Sequence, residues 1–176
     1  KITNNKKLGN FILNLLDIYK VIKFKIKLPN FLLFVILTLI ILQIVLGSFL
    51  SGLDGGLIYN SWPDMNGTFF PNDINGKDYL SFQLFYNPSI IQLFHRITAY
   101  ILLFFIIILN FLFFKKQLSF FNILIFDIAI LLQIFLGIVT LVSGVEIKYA
   151  SLHQLGSILV LSTYLLIIYK NSNRLL

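Results

Sequence analysis

Two histidines, His95 and His153, are the side chains of this sequence best suited to bind a transition metal. Cysteine is absent, and Met65 is the one other soft ligand. Without a thiol, the chain carries no disulfide, zinc–thiolate or thiol-redox chemistry. Neutral imidazole ligates zinc, copper and iron, but a zinc or copper site ordinarily recruits a third or fourth ligand. None is evident. Arg96 directly follows His95. Its guanidinium suits a bidentate carboxylate partner, and snorkelling to lipid headgroups is the plainer alternative. Gln43, Gln92, Gln133 and Gln154 stand in or beside apolar runs, where they orient ligands or hold helices together. Asp127 lies deep in such a run. There it acts as a proton relay or as a protonated hydrogen-bonding group.

The elements that position these groups belong to a membrane protein. The chain has 176 residues, 58% hydrophobic and 12% charged. A soluble domain of this size cannot hide so much apolar side chain. About 20 apolar residues cross a hydrocarbon core about 30 Å thick, and four stretches qualify: 31–50, 90–114, 118–142 and 150–169. The expected fold is therefore an all-α membrane protein, a four-transmembrane-helix bundle, over residues 29–176. Residues 1–28 form a basic segment, read as an interfacial helix or a solvated linker. The chain opens on Lys1 rather than methionine, and is expected to be a fragment or a processed product.

The formal charge of +7 is distributed by side. Residues 1–28, the Lys115-Lys116 turn and the tail with Lys170 and Arg174 are basic, whereas the loop 51–89 sets Asp54, Asp64, Asp73 and Asp78 against Lys77. The positive-inside rule then places both termini in the cytoplasm or matrix. The expected partner of the basic residues is anionic lipid, not nucleic acid. The loop 51–89 combines turn-forming pairs such as Asn66-Gly67 with many aromatic residues, as expected of a lid or binding segment rather than a disordered one.

The spans repeat. Leu42-Gln43-Ile44-Val45-Leu46-Gly47 matches Leu132-Gln133-Ile134-Phe135-Leu136-Gly137, and each is followed by Ser-Gly and then by a span with a histidine near its start. His95 falls roughly 8 Å and His153 roughly 5 Å down two parallel helices, from 1.5 Å of rise per residue. Two imidazoles at similar depth suit the two axial positions of one heme iron, with apolar helices as walls. The alternative is that each histidine makes an interhelical hydrogen bond. Arg96 would then reach a heme propionate or the headgroups.

At this point the residues carry a resemblance. The run from Gly52-Leu53-Asp54-Gly55-Gly56 through Trp62-Pro63-Asp64-Met65, followed by Gln92-Leu93-Phe94-His95-Arg96, resembles the C-terminal half of the heme A synthase (CtaA/Cox15) family. Leu136-Gly137 through Leu141 and Leu152-His153-Gln154 resemble that family's last two helices. The resemblance implies an eight-helix protein of two similar halves, each offering two histidines to a heme. It also implies an oxidoreductase that converts heme O to heme A by oxidising a ring methyl to a formyl, for cytochrome oxidase assembly. A family glutamate, one turn before the His-Arg pair in the substrate half, is replaced here by Gln92. This half is therefore expected to hold the cofactor, heme b, on His95 and His153, with Arg96 beside it. The implied partners are the missing N-terminal half on the same or another chain, heme O, an electron donor, and heme O synthase or oxidase assembly factors. The implied place is the mitochondrial inner membrane or the bacterial cytoplasmic membrane. A non-catalytic bis-histidine cytochrome b and a structural or transporter fragment are the competing readings.

Overall fold

The computed structural model describes residues 28–74, 82–116 and 120–172. The expected basic segment, apart from Leu28, lies outside the described residues, as does the loop stretch 75–81 with Lys77 and Asp78. Four helices carry the fold: α1 (Asn30–Gly52), α2 (Pro88–Lys116), α3 (Phe120–Val142) and α4 (Ile147–Ser172). Each is long and apolar enough to cross a membrane. Between α1 and α2 the described loop contains two short 3-10 turns, Gly55–Leu57 and Phe82–Phe85. The fold is thus the all-helical four-span membrane bundle that the hydropathy demanded.

Local chemistry sets the helix ends. Asn87 caps α2: its side-chain oxygen accepts from the backbone N–H of Ser89 at 2.9 Å and of Ile90 at 3.3 Å. Pro88 takes the first helical position, where a missing N–H costs nothing. At the end of α3, Gly144 adopts φ 71°. Val145 N–H donates to Thr140 O at 2.8 Å and Gly144 N–H to Leu141 O at 3.2 Å. This is a Schellman closure, in which glycine meets no Cβ penalty. It makes the α3–α4 connection short.

The helices pack as two hairpins, α1 on α2 and α3 on α4, with α1 also touching α4. The end of the bundle that holds Leu28 is solid. Ile36, Leu109, Phe126 and Tyr164 are fully buried there, and the Phe126 and Tyr164 ring centroids lie 5.1 Å apart. Lipid tails are as apolar as leucine, so packing and cross-helix hydrogen bonds must hold such helices together. Tyr164 OH donates to Leu33 O at 2.9 Å, Lys170 Nζ to Asn122 Oδ1 at 2.9 Å, and Leu28 N–H to Asn171 Oδ1 at 2.9 Å. Asp127 accepts from Asn110 Nδ2 of α2 at 3.0 Å. Phe34, Phe104, Phe111, Phe135 and Leu155 point outward, onto surface that lipid would cover. At the loop end the bundle opens, and a cavity separates the hairpins.

Candidate functional site

The repeat in sequence is a repeat in atoms. Gln43 Nε2 donates to the backbone oxygen of His95 at 2.9 Å, and Gln133 Nε2 donates to that of His153 at 2.9 Å. One turn further along each glutamine's helix stands a glycine facing the ring. A Cβ at Gly47 would lie 3.4 Å from His95 Cε1, and one at Gly137 would lie 2.9 Å from His153 Cε1. The glutamine registers the histidine helix and the glycine leaves room for the imidazole. Gln43 and His95 are 52 residues apart, Gln133 and His153 only 20. The long loop is inserted into the first hairpin without disturbing this arrangement.

Both histidines line one cavity of about 820 Å³ between the hairpins, within the range of sites that take a cofactor-sized ligand. His95 follows the start of α2 at Pro88, and His153 follows the start of α4 at Ile147. These offsets put the imidazoles roughly 10 and 9 Å along their helices, at 1.5 Å per residue. The depths agree more closely than the apolar stretches alone implied, because α4 begins before its apolar run does.

The polar accounting singles out the same place. Gln43 Oε1, Gln92 Oε1, Gln133 Oε1 and His95 Nδ1 are the buried side-chain atoms that lack a hydrogen-bond partner among the described residues. All four residues line this cavity. Buried polar atoms are almost always paired, so four orphans on residues that line one cavity set this region apart from the solid end of the bundle. The donors fit heme. Among the described residues, no group of three or more His, Cys, Asp or Glu side chains could enclose a bare metal ion. Two imidazoles suffice only for a metal that brings its other ligands with it, as heme iron does.

Arg96 also lines the cavity, but its guanidinium is engaged with the loop. Nη1 donates to Asp64 O at 2.6 Å, and Nη2 donates to Ser61 O at 3.1 Å and Tyr59 O at 3.2 Å. Three of its five N–H groups are so used among the described residues. Gln92 Nε2 joins in, donating to Tyr59 O at 3.1 Å. Met65 is 1% exposed in a small cluster with Tyr59 and Leu93, so it packs the loop against α2. Asn60 Nδ2 reaches across to Leu141 O at 3.1 Å, tying the loop to α3. Asp127, paired with Asn110, does not line the cavity.

A polar network that sequence reasoning missed anchors the loop's far end. Tyr59 OH and Ser89 Oγ each donate to an Asp73 carboxylate oxygen at 2.6 Å, and Asn72 N–H donates to Tyr59 OH at 3.2 Å. The aromatic content of the loop was a signal, but no spacing rule pairs Tyr59 with Asp73. Burial pushes the Asp73 carboxyl up, yet the Ser89 and Tyr59 hydroxyls outweigh it and hold the group below its ordinary 3.8. Burial, then the bond to Asp73, raises the Tyr59 phenol above its ordinary 10.0. A lowered carboxylate stabilises the fold above its unfolded value and loses that effect as pH falls through the folded one. A raised phenol stabilises below its unfolded value and loses it as pH climbs through the folded one. The loop is therefore expected to stay docked between about pH 4 and 10, and to loosen on either side. Trp62, the chain's single tryptophan, lies in the loop and lines the cavity. Its emission should be flat across that window and shift outside it.

Residues 15–165 match the COX15-CtaA family, described as cytochrome oxidase assembly protein. The heme A synthase of Pelagibacter ubique (strain HTCC1062) is 72% identical over 159 residues, 90% of this chain and 47% of that protein. Those of Rickettsia bellii (strain OSU 85-389) and Rickettsia massiliae (strain Mtu5) are 39% and 35% identical over 139 residues, 78% of this chain and 41% of each of those proteins. The chain thus spans about half the length of the curated relatives it matches. No solved structure matches it.

Proposed function

The chain belongs to the COX15-CtaA family of cytochrome oxidase assembly proteins, and from that premise we propose that it is the heme b-binding half of a heme A synthase. His95 and His153 would hold the iron from the two hairpins, and their placement on one cavity, each registered by a matched glutamine and faced by a glycine, carries this reading. When bound, the heme supplies a one-electron redox couple. The chain's own residues do the rest: Gln43 and Gln133 set the height of the histidines, Gly47 and Gly137 leave room for their rings, and Arg96 keeps the loop against the cavity. Gln92, 1% exposed beside His95, is an amide and cannot give or take a proton as a carboxylic acid would. Methyl oxidation of heme O therefore belongs to the other half of the protein, on this or a separate chain. The membrane is the bacterial cytoplasmic or mitochondrial inner one, with both helix-bundle termini on the inner side. An electron donor and the heme O synthase or oxidase assembly factors are the remaining partners.

Gln92 equally favours a second reading, a membrane cytochrome b that only passes electrons. Product analysis separates the two. The chain is co-expressed with the first half of a related heme A synthase in a host that makes heme O, and extracted hemes are chromatographed. Heme A from the pair, with only heme b bound by the chain alone, is the expected result. Heme b bound in both cases with no heme A would favour the cytochrome.

A further inference from the structure

We propose that the two histidines are unequal iron ligands: His153 is the fixed one, and His95 is the displaceable one, at whose position a small neutral ligand such as imidazole or carbon monoxide enters. The inference rests on the heme reading above and concerns a difference between two otherwise matched hairpins.

The glutamine anchors are identical at 2.9 Å, so the backbones of the two histidines are set alike. The rings are not. His153 Nδ1 lies 3.1 Å from the backbone oxygen of Gln133. Donation there places the proton on Nδ1, leaves the Nε2 lone pair for the metal, and raises the basicity of the ligand. His95 Nδ1, its counterpart, is buried with no partner among the described residues. No hydrogen bond at Nδ1 among the described residues fixes its tautomer.

Seating differs in the same direction. A Cβ at Gly137 would lie 2.9 Å from Cε1 and 3.4 Å from Nδ1 of His153, whereas one at Gly47 would lie 3.4 and 4.0 Å from the same atoms of His95. The His153 ring is pressed onto α3, and the His95 ring stands off α1. The connections agree as well. α3 passes to α4 through a tight Schellman closure. α2 reaches α1 through the long loop, and the residue after His95 is the arginine that grips that loop. His95 is thus joined to the loop through its chain neighbour, whereas His153 lies seven residues after Glu146 on the short α3–α4 connection.

The test uses the full chain purified with its heme. His95→Ala is expected to keep its heme as a five-coordinate high-spin species that binds carbon monoxide. His153→Ala is expected to retain at least about 10-fold less heme, since losing only a ligand's outer-shell support already costs about 10–100-fold in affinity. In the reduced His95→Ala protein, the iron–histidine stretch should lie at the high frequency of a hydrogen-bonded imidazole. A second pair guards against misfolding, since alanine favours helix at both sites. Gly137→Ala, which drives a methyl into the His153 ring, should lose heme, and Gly47→Ala should keep it. Equal heme loss within each pair, or the reverse order, overturns the proposal. A wild-type chain that purifies without heme, even alongside the other half, would instead overturn the heme reading itself.

Discussion

Replacing either His95 or His153 with alanine is expected to abolish the sharp low-spin absorption bands of the reduced protein completely. A bis-imidazole iron needs both ligands, and the described residues offer no third imidazole or thiolate within the cavity. Met65 cannot substitute, because it is packed away beneath the loop. The four-helix fold should survive both substitutions, since the solid core around Ile36, Leu109, Phe126 and Tyr164 lies at the other end of the bundle. Helical circular dichroism should therefore be unchanged while the bands vanish. If either variant kept a low-spin spectrum, its histidine would be an interhelical packing residue.

Arg96→Ala is expected to release the loop. The guanidinium makes three hydrogen bonds to the carbonyls of Tyr59, Ser61 and Asp64. A bond to a charged donor contributes about 1.5–3 kcal/mol, but these three share one half-buried group and do not add independently. A loss of about 3 kcal/mol is the expected scale, roughly a hundredfold rise in the open population of the loop. Protease cleavage between Tyr59 and Asp73, followed over time, measures that population. Arg96→Lys should recover only part of the effect, because an ammonium cannot span three carbonyls as the planar fork does. Cleavage rates unchanged in Arg96→Ala would mean that the Tyr59–Met65–Leu93 cluster and the Asp73 network hold the loop without the arginine.

The spans and the repeated hairpin were legible in the sequence for a simple physical reason. Lipid tolerates few polar side chains, so Gln43, Gln133, His95 and His153 stand out against apolar runs and reveal their matching order. What was not legible depends on backbone atoms and on distant side chains. A bidentate carboxylate or snorkelling was the expectation for Arg96, but three of its N–H groups go to the carbonyls of Tyr59, Ser61 and Asp64, which carry no residue-type signature. Asp127 looked like an isolated cost until Asn110, on a neighbouring span, supplied a donor. The unequal rings of His95 and His153 were likewise invisible, because the sequence pattern around the two is the same and only the packing differs.

The most direct test of the account is the heme content and reduced-minus-oxidised spectrum of the purified wild-type chain in detergent. One low-spin heme b per chain, with its bands lost in both histidine variants, is the predicted result. A chain that folds into its four helices, co-purifies with the other half of the protein, and still shows no heme absorbance would contradict it.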